Sequence, residues 1–148
     1  MQTHFVRVEC DVTAKVRHQP LRYRAYVNNE LFAERTWIWE NCYLEESFQI
    51  QAGPGVYPIR FETVDSDHGR IKVRNYRTDV DIMQDQIQQL QSQLSELKIQ
   101  NIDKDGIKSV EQQIQTLDNA LQLCLKNRTV KIITYQGQTA VEISDAST

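Results

Sequence analysis
The sequence predicts an α+β chain: an antiparallel β-sandwich of about six strands, an antiparallel coiled-coil hairpin of two helices, and a C-terminal β-hairpin. Three observations carry this reading. From His4 to Tyr76, short alternating runs are separated by turn residues at the ~8 to 12 residue spacing of a sandwich or barrel. At Thr78 the apolar period changes from two to three and a half. Beyond residue 128 it returns to two. The expected units are therefore 1–78, 79–128 and 129–148, with the last packed on the sandwich or at the base of the helices.

The opening strand is read from Phe5 to Asp11. In the next, Leu21, Tyr23, Ala25 and Val27 alternate with Arg22, Arg24 and Tyr26, so one face is apolar and the other meets water. Asn28 and Asn29 tolerate the positive φ of a tight hairpin, and Leu31 to Ile38 runs back. Cys42 to Ile50 forms another strand and stops at Gly53, Pro54 and Gly55. Tyr57, Ile59, Phe61 and Thr63 make the next inward face. After the turn Asp65 to Gly69, Ile71, Val73 and Asn75 are expected inward, opposite Arg70, Lys72 and Arg74.

Thr78 is the expected N-cap of the first helix, with Asp79 and Asp81 near the positive end of its dipole. Val80, Met83, Ile87, Leu90, Leu94 and Leu97 recur at spacings of three and four along one stripe. Continuing that heptad would require apolar residues at 101, 104 and 108, where Asn101, Lys104 and Lys108 stand, so the helix must break. A second stripe follows the turn Asn101 to Gly106: Ile107, Val110, Ile114, Leu117, Leu121 and Cys124. Two helices of similar length joined by a short turn fold back most simply as a hairpin. Val130, Ile132 and Thr134, then Thr139, Val141 and Ile143, flank Gln136 and Gly137 as a final β-hairpin, and Ser144 to Thr148 is expected to fray.

A hydrophobic content of 40% and a charged content of 25% belong to a folded chain rather than a disordered one. No run approaches the ~20 apolar residues needed to span a bilayer, and Met1 to Asp11 has no secretory pattern. Neither a membrane nor a secretory route is expected. The net charge of -3 is uneven: residues 1–78 hold 11 basic and 10 acidic side chains, whereas 79–148 hold 6 and 10, so the acidic excess lies in the helical part. Cys10, Cys42 and Cys124 are odd in number and widely spaced, which points to reduced, buried thiols rather than disulfides or a zinc site.

Candidate chemistry is sparse. Asn101, Asp103, Asp105 and Gly106 match the first half of an EF-hand loop, but Gln112 stands where the bidentate Glu belongs and Lys108 occupies the usual apolar position. The turn reads better as a helix cap, with Ser109 and Gln112 offering a capping box. His4, His18 and His68 have no partner at metal spacing, and neither a nucleophile motif nor a phosphate loop is present. No catalytic residue, metal or cofactor is expected, and the chain is read as non-enzymatic. Trp37 and Trp39 share one side of a strand and offer a possible glycan platform, against a reading as buried core. Arg70, Lys72 and Arg74 offer a possible basic face for single-stranded nucleic acid, against a reading as solvated ion pairing. The helix stripes are the most specific pattern. Because a bare two-helix hairpin is marginal in water, Ile87, Leu90, Leu94, Leu97, Ile107, Val110, Ile114, Leu117 and Leu121 are the expected assembly residues.

The run Leu21 to Phe61, LRYRAYVNNELFAERTWIWENCYLEESFQIQAGPGVYPIRF, resembles small β-sandwich structural and accessory proteins of T4-like marine cyanobacterial phages, as does the later strand RIKVRNYRTD. The resemblance covers about the first half of the chain and carries no catalytic residues. It implies a virion structural protein, capsid-decorating or tail-associated, made in the host cytoplasm and present in many copies or as a homo-oligomer. Its partners would be virion proteins, with nucleic acid not expected among them. The layout is also similar to β-sandwich carbohydrate-binding modules, although Asn29 replaces the Gly of their usual hairpin.

Overall fold
A computed structural model describes residues 3–39, 42–100 and 103–145. Eight strands and two helices follow in the order β1 His4–Val16, β2 Arg22–Val27, β3 Glu30–Thr36, β4 Leu44–Ala52, β5 Gly55–Thr63, β6 Gly69–Thr78, α1 Asp79–Gln100, α2 Lys104–Asn127, β7 Arg128–Tyr135 and β8 Gln138–Asp145. The protein is α+β, with a three-stranded antiparallel sheet ordered β4-β1-β6 and a five-stranded antiparallel sheet ordered β3-β2-β5-β8-β7.

β1 continues five residues beyond the expected Asp11 because it serves two partners. Residues 4–12 pair with β4 and residues 8–16 with β6. Its inward side chains Val6, Val8, Cys10 and Val12 are fully buried. Tyr23 and Ala25 from β2, Phe48 from β4, Ile59 from β5 and Val141 and Ile143 from β8 join them in one cluster, so both sheets share a core. Across it the Phe48 and Phe61 rings meet edge-on at 5.9 Å, a favourable aromatic geometry.

Asn28 and Asn29 take φ of 51° and 67° and join β2 to β3. Pro58 sits where β5 passes from pairing with β2 to pairing with β8, so its missing N–H costs little in the ladder. β8 pairs with β5, which places α1 and α2 between β6 and the last hairpin of the larger sheet.

Asn75 does not point inward. It adopts φ 60° and is exposed, because β6 carries an extra residue opposite Cys10: Asp11 pairs with Arg74 and Glu9 with Arg77. Such a bulge shifts the alternation by one. Tyr76 therefore packs on the core, Arg77 reaches Glu9, Asp11 and Glu45, and the Asn75 amide donates to Asp11 at 2.9 Å.

Thr78 caps α1 reciprocally with Asp81. The Asp81 N–H donates to the Thr78 hydroxyl at 3.2 Å, and the Thr78 N–H donates to the Asp81 carboxylate at 3.0 Å. α2 begins earlier than the sequence suggests. Asp103 is its N-cap, accepting from the Gly106 N–H at 2.9 Å, so Gly106 lies in the first turn rather than in the loop. A Cβ at Gly106 would meet the Asp103 carboxylate, so a larger residue there would require that capping side chain to shift. Ser109 is thus inside the helix and does not cap it; its hydroxyl accepts from the Gln113 amide. Asn101 and Ile102, and the tail after Asp145, lie outside the described residues. No described helix is long and apolar enough to cross a membrane.

Candidate functional site: helix stripes and a basic sheet end
α1 and α2 pack on each other, and their base meets β1, β6 and β7. A buried ion pair fixes that base. Arg128, 4% exposed, donates through Nη2 to Asp79 Oδ2 at 2.6 Å and through Nε to the Phe5 carbonyl, while the Arg7 N–H also donates to Asp79. One contact set thereby ties the start of α1 and the end of α2 to the start of β1.

Along the hairpin the stripe residues are unevenly covered. Val110 and Leu121 are buried, whereas Ile87, Leu90, Leu94 and Leu97 of α1 and Ile107, Ile114 and Leu117 of α2 are only half-buried. Ile99, Leu123 and Leu125 are exposed. The two helices leave part of their apolar surface in water, most of it at Ile99, Leu123 and Leu125.

Glu46 of β4 is 1% exposed and joins the two sheets. Its carboxylate accepts from the Tyr23 hydroxyl of β2 at 2.7 Å and from both Nε and Nη2 of Arg35 on β3, the latter at 3.1 Å. Burial, then the neighbouring Glu46 carboxylate, pushes the Tyr23 phenol well above its ordinary value. Burial and Glu46 also push the Cys10 thiol up to about 12. Both groups stay protonated and are structural. Cys42 and Cys124 depart from the expected buried thiols: Cys42 is exposed in the connection before β4, and Cys124 is half-buried on α2.

Trp37 and Trp39 do not form a sugar platform. Trp37 is 5% exposed within the core cluster, its backbone N–H donating to the Leu21 carbonyl, and its ring meets Trp39 edge-on at 5.2 Å and 72°. Stacking a sugar requires an open ring face, which burial removes from Trp37; Trp39 remains partly open beside the exposed Ile38.

Arg70, Lys72 and Arg74 are exposed on β6, the edge of the smaller sheet. The structure divides them. Arg74 stands opposite Asp11, whereas Arg70 stands opposite Lys15 and Lys72 opposite Thr13. Lys15 and Arg17 thereby join Arg70 and Lys72 around a continuous set of shallow clefts at the end of β1. Sequence reasoning missed those two residues because they are 55 and 53 positions away from Arg70. The alternating pattern Ala14, Lys15, Val16, Arg17 was the available sign, had the strand been extended.

No protein-family model, curated protein or solved structure matches this chain at significance.

Proposed function
We propose that the chain is a non-enzymatic structural subunit acting by protein–protein adhesion and assembly, in the phage virion setting that its first half resembles, as a capsid-decorating or tail-associated component. In this reading the two sheets form a sandwich that docks on the particle, and α1 and α2 form an antiparallel coiled-coil hairpin that joins copies of the chain.

The carrying observation is the half-burial of Ile87, Leu90, Leu94, Leu97, Ile114 and Leu117 along helices of 22 and 24 residues. Such helices run ~33 to 36 Å at 1.5 Å per residue, farther than their anchoring base. Helical stability in water comes mainly from tertiary packing, and a second hairpin laid on this one would complete a four-helix bundle. The occupant proposed is another copy of this chain, since both stripes are apolar with a polar remainder rich in Gln.

Mass in solution tests the reading. Sedimentation of the full chain is expected to give an oligomer whose mass is insensitive to salt, and Leu90→Lys with Leu117→Lys is expected to give a folded monomer. A monomeric wild-type chain at high micromolar concentration would overturn the assembly role, and absence of the chain from purified particles would overturn the virion setting.

A further inference from the structure
We propose that the end of the three-stranded sheet around Lys15 binds single-stranded nucleic acid, with Lys15, Arg17, Arg70 and Lys72 on its phosphates and Trp39 as a base-stacking surface.

The charge pattern is the first argument. The chain carries a net charge of -3, yet three adjacent clefts of about 490, 420 and 550 Å³ all include Lys15 and together hold four cations. No carboxylate is among their described lining residues. Seven of the ten arginines hold ion pairs with described carboxylates. The other three, Arg17, Arg70 and Arg74, all lie on β6 or just beyond β1, and Lys15 and Lys72 likewise have no ion pair among the described residues. Asp67, in the turn before β6, is 3.9 Å from His68 and lines none of the three clefts. Outside β6 and the end of β1, every arginine on the sheets is ion-paired within the chain, whereas here the cations have no ion pair among the described residues and can take an outside anion.

Spacing is the second. Arg70 and Lys72 lie two residues apart on one strand face, a repeat of about 6.7 Å, close to the phosphate step of an extended single strand. Lys15 stands in register beside Arg70. A Cβ at Gly69, whose φ is 150°, would collide with the Lys15 carbonyl, so glycine permits the close backbone approach that sets these cations side by side. The His68 carbonyl, accepting from the N–H groups of Arg17 at 2.7 Å and His18 at 3.0 Å, fixes where Arg17 leaves β1.

The third is the aromatic wall. Lys15 and Arg17 share a cleft with Trp37, Ile38 and Trp39. A cationic track beside the partly exposed ring of Trp39 suits unstacked bases, whereas a duplex hides its base faces. This site is separate from the helix stripes, so it stands or falls independently of assembly.

Fluorescence anisotropy of a labelled oligothymidine with the full chain tests it. Four phosphate contacts give a slope of about −2.8 for log affinity against log salt, an approximately 50-fold loss between about 50 and 200 mM. Lys15→Gln with Arg70→Gln is expected to halve that slope. Trp39→Leu, which keeps apolar bulk against the core, is expected to weaken binding about fivefold or more without changing the slope. Unchanged circular dichroism secures the fold of each variant. The proposal is overturned by no binding at ~100 μM protein in low salt, by a slope indifferent to the Lys15 and Arg70 changes, or by equal affinity for duplex DNA or a sulfated polysaccharide that ignores Trp39.

Discussion
Replacing Glu46 with alanine isolates the polar contact that crosses between the sheets. The carboxylate is 1% exposed and accepts from Tyr23, itself fully buried, and from Arg35, whose side chain is 43% exposed. Breaking a buried pair costs about 3–5 kcal/mol when the remaining charge stays buried. Arg35 can turn to water, so that penalty is discounted. What remains is the Tyr23 hydroxyl, left without its acceptor at about 1–3 kcal/mol, together with the cavity left by the lost methylenes, at ~1 kcal/mol. The sum is about 3 kcal/mol, a large share of the ~5–15 kcal/mol that holds a domain together. Urea denaturation followed by tryptophan fluorescence measures it. Adding Tyr23→Phe to Glu46→Ala removes the orphaned hydroxyl, so the double variant is expected to be at least ~1 kcal/mol less destabilised than the sum of the singles. A Glu46→Ala chain within ~0.5 kcal/mol of wild type, or strictly additive variants, would refute the claim that this contact joins the sheets.

Arg128→Ala is expected to cost ~3 kcal/mol by stranding Asp79 at the helix base, and hydrogen exchange is expected to quicken first at the start of α1 and the end of α2. Thiol titration of the native chain at pH 8 is expected to label the exposed Cys42 rapidly and to leave Cys10, fully buried with its thiol raised to about 12, unreacted until denaturant is added. Acid is expected to destabilise the fold. The Asp65 carboxyl is held below its ordinary 3.8 by the hydrogen bonds and charge of Arg22; at Asp11 burial pushes upward, but the hydrogen bonds from Asn75 and Arg77 and nearby arginine charge outweigh it. Both groups therefore contribute stability above pH 3.8 that is lost as pH falls through their lower folded values. Urea midpoints that stay constant from pH 5 to about pH 2.5 would contradict this.

Much of the local structure is legible in the sequence. Thr78 and Asp81 carry a capping box in their own spacing, and Asn28-Asn29 carries a left-handed turn, because caps and tight turns are made by residues a few positions apart. The stripes from Val80 to Cys124 gave the helices in the same way. One error was local, the start of α2 being set by Asp103 rather than by Ser109; the others arose where a local pattern had a nonlocal competitor. Asn75 fits the inward alternation until the bulge opposite Cys10 turns it outward. Trp37 and Trp39 look equivalent in sequence, yet only Trp37 packs within the shared core.

By itself, then, the amino-acid order determined which segments are strands and which are helices, though not every boundary between them, since these follow from side-chain period and backbone preference over a few residues. Only the tertiary structure decided that β8 lies against β5, that Glu46 meets Tyr23 and Arg35, that Arg128 grips Asp79, and that Lys15 stands beside Arg70. Strand pairing joins positions as far apart as Gly55 and Ile143, and the alternation of one strand does not say which partner's edge it will meet. The helix stripes could therefore be named from the sequence, whereas the basic end of the sheet exists only once β1 and β6 are in register.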